Sequence, residues 1–179
     1  MSLGNIAPIQ RRQGQYDEAL NSHRRAMQLF VRLGDQYGQT VSLSNLGALY
    51  ERMGRHTESL ACLEQSLAIY QKVGDRFGEA ESLSSLGITH RTMRRHQLAL
   101  EHHQRALRIC RELGHRDGEA ACLLQLGLTL AATTRTSEAR TCWATAAAIF
   151  DDLGSAEARQ AHALLDSPPD ADGTPAMPA

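Results

Sequence analysis

The chain repeats itself with a period of 40 residues and no gap, and few folds are compatible with that. Gly34, Gly74, Gly114 and Gly154 are in phase, as are Gly38, Gly78 and Gly118. The pairs Leu46-Gly47, Leu86-Gly87 and Leu126-Gly127 recur at one offset, with Leu43, Leu83 and Leu123 three residues before them. Ala26, Ser66, Ala106 and Ala146 form a small-residue column, and Leu29, Ile69, Ile109 and Ile149 an aliphatic one. So many columns kept over four periods mean that each period builds one local unit and buries its apolar faces against its neighbours.

Each period holds two helical patterns. Leu43, Leu46, Gly47 and Tyr50 fall at i, i+3, i+4 and i+7, one stripe of a helix. Leu60, Leu63, Leu67 and Tyr70 form a second stripe after a break at Met53-Gly54-Arg55. Gly54, and Gly14 one period earlier, suit a left-handed C-terminal cap. Glu18, Glu58 and Glu138 then sit in the first turn of the next helix, where its dipole favours an anion. Asp35, Asp75 and Ser155 suit N-caps at the longer breaks. This places helices near 2–13, 16–33, 39–53, 56–73, 79–93, 96–113, 119–132, 136–153 and 156–165. The glycine after each leucine and the Ala/Ser column remove bulk where paired helices approach, and aliphatics fill the space beside them.

The pattern Leu83-x-x-Leu86-Gly87-x-x-His90 followed by Ala99 and Ala106 resembles the tetratricopeptide repeat, as does Leu43-x-x-Leu46-Gly47-x-x-Tyr50 with Gly54, Leu60 and Ser66. The 40-residue variety with its Leu-Gly-Asp-Arg linker is similar to the repeats of Pins-type polarity scaffolds, of kinesin light chain and of the C-terminal domains of actinobacterial antibiotic regulators. The resemblance implies an all-α fold: a right-handed solenoid of about four helix pairs over residues 1–165. Its repeats lie near 2–34, 35–74, 75–114 and 115–154, with a cap at 155–165. Residues 166–179, with four of the five prolines, three aspartates and no basic residue, read as a disordered tail.

Chemistry is sparse. Lys+Arg is 19 against Asp+Glu 20, a net charge of −1, which argues against a nucleic-acid module driven by charge. No run of 18 apolar residues spans a membrane. Cys62, Cys110, Cys122 and Cys142 form no Cys-x-x-Cys pair, which speaks for a reducing, cytoplasmic setting and against a zinc site. Most of the histidines share columns with packing residues: His23 and His103 align with Leu63 and Trp143, and His90 with Tyr50 and Leu130. They read as packing side chains, so no metal, cofactor or catalytic residue is expected. The arginines at the turn inside each pair (Arg11-Arg12, Arg52, Arg55, Arg91, Arg94, Arg95, Arg135) sit where a helix C-terminus favours cations.

A second face of each first helix carries the binding expectation. Val41, Asn45, Ala48 and Arg52 lie at i, i+4, i+7 and i+11, with Ser44 beside them. Glu81, Ser84, Ser85 and Ile88 follow one period on, and Leu124, Gln125 and Leu128 in the next. Asn5, Asn45, Ser85 and Gln125 make a ladder able to hydrogen-bond. The resemblance implies that this face lines a concave groove where such a ladder holds the backbone of a peptide. Arg52 and Arg91 supply charge there, and Leu124 and Leu128 an apolar floor. The function expected is therefore protein–protein interaction without catalysis.

Two rival readings stand beside it. One is a ligand-sensing domain severed from a bacterial transcription regulator, suited by a composition rich in Arg and Ala with a single lysine, Lys72. The other is self-association through the incomplete first repeat, where Leu3, Ile6 and Ile9 lack a preceding helix and Pro8 interrupts the pattern.

Overall fold

The computed structural model describes the backbone of residues 6–168 and the side chains of residues 16–168. Every regular element among them is an α-helix: α1 (Ile6–Leu33), α2 (Gln36–Arg52), α3 (His56–Val73), α4 (Arg76–Thr92), α5 (His96–Glu112), α6 (Arg116–Ala131), α7 (Thr136–Leu153) and α8 (Ala158–Asp166). They fall into two compact units, Met1–Gly74 and Asp75–Ala179. In the first, α2 packs on α1 and α3. In the second, α4 through α8 pack consecutively, and α4 also touches α6. Most of the tail, from residue 169 onward, lies outside the described residues.

The linkers between pairs behave as their residues dictate. Asp35 Oδ1 and Asp75 Oδ1 each accept the N–H three residues on, from Gly38 and Gly78, at 2.9 Å. His115 stands in the same column and does the same work, its Nδ1 accepting the Gly118 N–H at 2.9 Å. Ser155 does not cap: α8 starts at Ala158, and the Ser155 hydroxyl bonds the Glu157 carboxylate instead.

The turns inside the pairs depart from expectation at one place. No break occurs at Gly14; α1 runs unbroken for 28 residues. One glycine in a helix costs only about 1 kcal/mol, too little to end it. Pro8 is the third residue of this helix, within the first turn, where the missing N–H has no intrahelical partner to lose. Glu18 consequently lies mid-helix, while Glu58 and Glu138 do occupy first turns. Gly54 takes the expected left-handed conformation, φ +71°. Its counterparts Arg94 (φ 58°) and Thr134 (φ 61°) adopt it too, although they carry a Cβ.

Within each pair the leucine–glycine column sets the contact. A Cβ on Gly47 would lie 2.8 Å from Leu63 Cγ. On Gly87 it would lie 2.4 Å from His103 Cε1, and on Gly127 2.4 Å from Trp143 Nε1. Leu63, His103 and Trp143 are buried to within 2% of complete. The column that mixes a leucine, a histidine and a tryptophan is thus one packing position.

Two stability changes follow. Gly127→Ala should cost about 1–3 kcal/mol in urea unfolding, because the indole is pinned by a hydrogen bond from Nε1 to the Leu124 carbonyl (3.3 Å) and cannot retreat freely. Thr134→Gly should stabilise by up to about 1 kcal/mol through relief of the left-handed backbone, and a loss of stability would refute the strain.

Candidate functional site

In Asp75–Ala179 the predicted face is assembled by α4 and α6. Glu81 is exposed; Ser84, Ser85, Ile88 and Arg91 on α4, and Gln125 and Leu128 on α6, are half-buried. Arg91 Nη2 donates to Gln125 Oε1 at 3.2 Å, which ties the two helices together. Leu124 differs from expectation in degree: it is 4% exposed and belongs to the core, so of the two leucines Leu128 is the one left on the face.

The N-terminal ends of the two helices enclose a cavity of about 300 Å³. Phe77, Glu81, Ser84 and Ser85 line it from α4, and Asp117 and Ala121 from α6, with His115 from the linker. Phe77 is 44% exposed and meets the His115 ring edge-on, centroids 4.9 Å apart. Cys110 and Cys122 also line it. Partial burial lifts the Glu81 carboxyl above its usual range, helped by the nearby Asp75 charge and opposed by His115.

A furrow of about 510 Å³ is lined by side chains of α5 alone, from Glu101 to Arg111. Two of its arginines are occupied: Arg111 pairs with Glu119 (2.8 Å) and Arg105 with Glu79 (3.6 Å). The turn arginines Arg55 and Arg135 pair with Glu58 and Glu138 at 2.6 and 2.7 Å.

In Met1–Gly74, Val41, Asn45, Ala48 and Arg52 are all exposed on α2. Ser44 is turned to its partner helix, its Oγ 3.2 Å from Ser66 Oγ. Asn5 and Leu3 lie outside the described residues, as do the side chains of Ile6 and Ile9.

The sequence reading missed Phe77, His115 and Asp117. A signal existed: Tyr37, Phe77 and Asp117 share a column four residues before Val41, Glu81 and Ala121. Reading the face one turn further toward the helix N-termini would have included Phe77 and Asp117.

The remaining titratable groups are packing elements. His103 is fully buried, and neither ring nitrogen has a hydrogen-bond partner. Burial, with smaller contributions from Arg91 and His102, pushes its pKa down to about 3. His102 stacks flat on His90, centroids 5.2 Å apart. All four thiols are raised, Cys122 to about 12, chiefly by burial, so little thiolate forms near neutral pH. Among the described residues no group of three or more His, Cys, Asp or Glu side chains could hold a metal ion, and no helix is long and apolar enough to cross a membrane.

Short-turned helix pairs that meet at small-residue contacts and recur along the chain define a helical-repeat protein of the α-solenoid class. The tetratricopeptide repeat pattern matches residues 1–72, 39–112 and 78–152, and the chain belongs to that family of protein-interaction modules. Solved structures agree on the fold. BtubC (BKLC) from P. vanneervenii matches with a TM-score of 0.77 at 21% identity, over 89% of this chain and 67% of that one. A Rap protein complexed with Competence and Sporulation Factor matches with a TM-score of 0.76 at 22% identity, over 88% of this chain and 44% of that one. The chain therefore spans less than half of the Rap protein. No curated protein sequence matches it.

His103 makes stability acid-sensitive. Above pH 6.5 the imidazole is neutral in both the folded and unfolded chain and contributes no pH dependence. As pH falls from 6.5 toward 3 the unfolded chain takes up a proton that the folded one refuses, so stability declines, by up to about 1.4 kcal/mol per pH unit. His103→Leu, which copies Leu63 in its column, should remove that share. Urea unfolding at pH 7 and pH 4.5 checks it: a wild-type loss no larger than the variant's refutes the assignment.

Proposed function

We propose that the chain binds an extended peptide segment of a partner protein along the face of α4 and α6, and that it performs no chemistry of its own. The observation that carries this is the cavity between two first helices, flanked by hydrogen-bonding groups with capacity to spare. Gln125 accepts from Arg91 through Oε1, which leaves its Nε2 to donate to a peptide carbonyl. The Ser85 hydroxyl is half-buried and the Asn45 amide exposed at the equivalent place on α2. Groups at one helical register, repeated from pair to pair, suit the regular spacing of an extended backbone better than a small compact ligand. The raised thiols support the absence of nucleophilic catalysis. The complex of the Rap protein with Competence and Sporulation Factor supports a regulatory variant of the same reading, in which the bound segment is a signal.

The test is selection of heptapeptides from a random display library on the purified chain, followed by fluorescence polarisation with the selected peptides. Ser85→Ala/Gln125→Ala should weaken binding about tenfold or more, roughly 1.4 kcal/mol, with helicity by circular dichroism unchanged. Arg108→Ala, on the α5 furrow, should leave it unaltered. Equal affinity in the wild type and the double variant, or no selectable peptide, would sink the reading.

A further inference from the structure

The carboxylates of Asp75–Ala179 are nearly all committed. Glu79 pairs with Arg76 and Arg105, Glu112 with Arg76, Glu119 with Arg111, Glu138 with Arg135, Asp152 with Arg116 and Asp151 with His162. Asp75 caps α4, Glu101 accepts from Gln97, and Glu157 bonds Ser155. Among the described residues of this unit, only Glu81, Asp117 and Asp166 have no hydrogen-bond or ion-pair partner. Asp166 ends α8. The other two, which come from different helices, line the same 300 Å³ cavity.

The bland explanation of an acid near a helix start is the dipole. It suits Asp117, in the first turn of α6. It does not suit Glu81, which is the sixth residue of α4 and lies beyond that turn. Glu81 has lost part of its hydration and lies near the Asp75 charge, no arginine or lysine pairs with it, and His115 alone opposes the rise of its pKa. His115 spends Nδ1 as the acceptor of the Gly118 N–H, so that nitrogen is not open to Glu81. The thiols are neutral, and the serines uncharged. Phe77 adds an exposed aromatic surface at the rim.

We infer that this cavity is a subsite for one cationic side chain of the bound segment, an arginine in the first place, held by Glu81 and Asp117 beside the Phe77 ring. A planar guanidinium has donors enough for two carboxylates and stacks on an aromatic ring, whereas an ammonium is a compact, strongly hydrated charge. The subsite rests on the groove reading above, because it anchors the segment that lies there. It adds what that reading leaves open: the chemistry of one residue of the partner.

The probe is acetyl-arginine amide, titrated into the isotope-labelled chain and followed by amide NMR, with the uncharged isostere acetyl-citrulline amide alongside. The arginine probe should give saturable shifts at Phe77, Glu81, Asp117 and Gly118, and the citrulline probe should bind more weakly by about tenfold or more. Glu81→Gln should abolish the difference between the two; it touches no helix cap, so the fold is retained. Glu81→Gln/Asp117→Asn should remove the shifts altogether. Absence of saturable shifts, equal affinity for citrulline, or an unchanged response in Glu81→Gln would each overturn the subsite. If heptapeptides still bind in a Ser85- and Gln125-dependent way while the arginine probe does not, the subsite falls and the groove stands. If the arginine probe binds and no heptapeptide does, the groove reading falls and the cavity is a site for free cations.

Discussion

The closeness of the two helices in each pair decides everything else in this molecule. At Gly47, Gly87 and Gly127 the first helix has no side chain, and a large one from the second helix fills the space: Leu63, His103 or Trp143. No Cβ could stand at these points without displacing its neighbour. Dispersion favours such contact because the surfaces meet without a void. It also fixes the rotation of the first helix about its axis. Once the Leu-Gly stripe is turned inward, the face at Asn45, Ser85 and Gln125 has no choice but to turn elsewhere.

That rotation makes α4 and α6 presenters of a surface. Their buried stripes are taken up by α5 and α7, and α6 also packs on α5. What remains between their N-terminal ends is a hollow of mixed walls, with Phe77 and Ala121 beside Glu81, Ser84, Ser85 and Asp117. Asp75 and His115 cap the two helices there, each satisfying a backbone N–H that would otherwise be orphaned. The imidazole at position 115 therefore shapes the cavity as a by-product of starting a helix.

The sequence made the repeat, the helix pairing and the packing role of His103 legible, since each rests on a column that recurs with period 40. His103 reads as core because Leu63 and Trp143 occupy its column, and it is fully buried. The columns mislead where the physical context of one repeat differs. Gly14 shares a column with Gly54 but sits in a helix that continues, because a helix end needs a competing cap and not only a permissive residue. Arg94 and Thr134 take the same left-handed turn without glycine, since the packed helices on both sides over-determine it. Ser44 and Leu124 stood in the expected register yet are drawn inward, by Ser66 and by burial in the core. Phe77 and Asp117 recur in the column of Tyr37, one turn outside the register of the face, whereas His115 belongs to a linker column of capping residues and joins the cavity only through the linker's geometry.

Charge along α4 then gives the face a direction. Glu81 stands toward its N-terminal end and Arg91 in its last turn, with Ser84, Ser85 and Ile88 between. Arg91 is already shared with Gln125, so its donors are partly spent on holding α6 in place. Glu81 has no such commitment. An extended segment with a cation at one end gains at Glu81 only when it lies one way round. Reversed, it brings its cation toward Arg91 and leaves Glu81 unpaired, so both ends are penalised at once. The backbone contacts proposed for Ser85 and Gln125 would be indifferent to sequence and nearly so to direction. The asymmetry of the two charged ends is therefore what would turn a generic peptide groove into a reader of a particular segment.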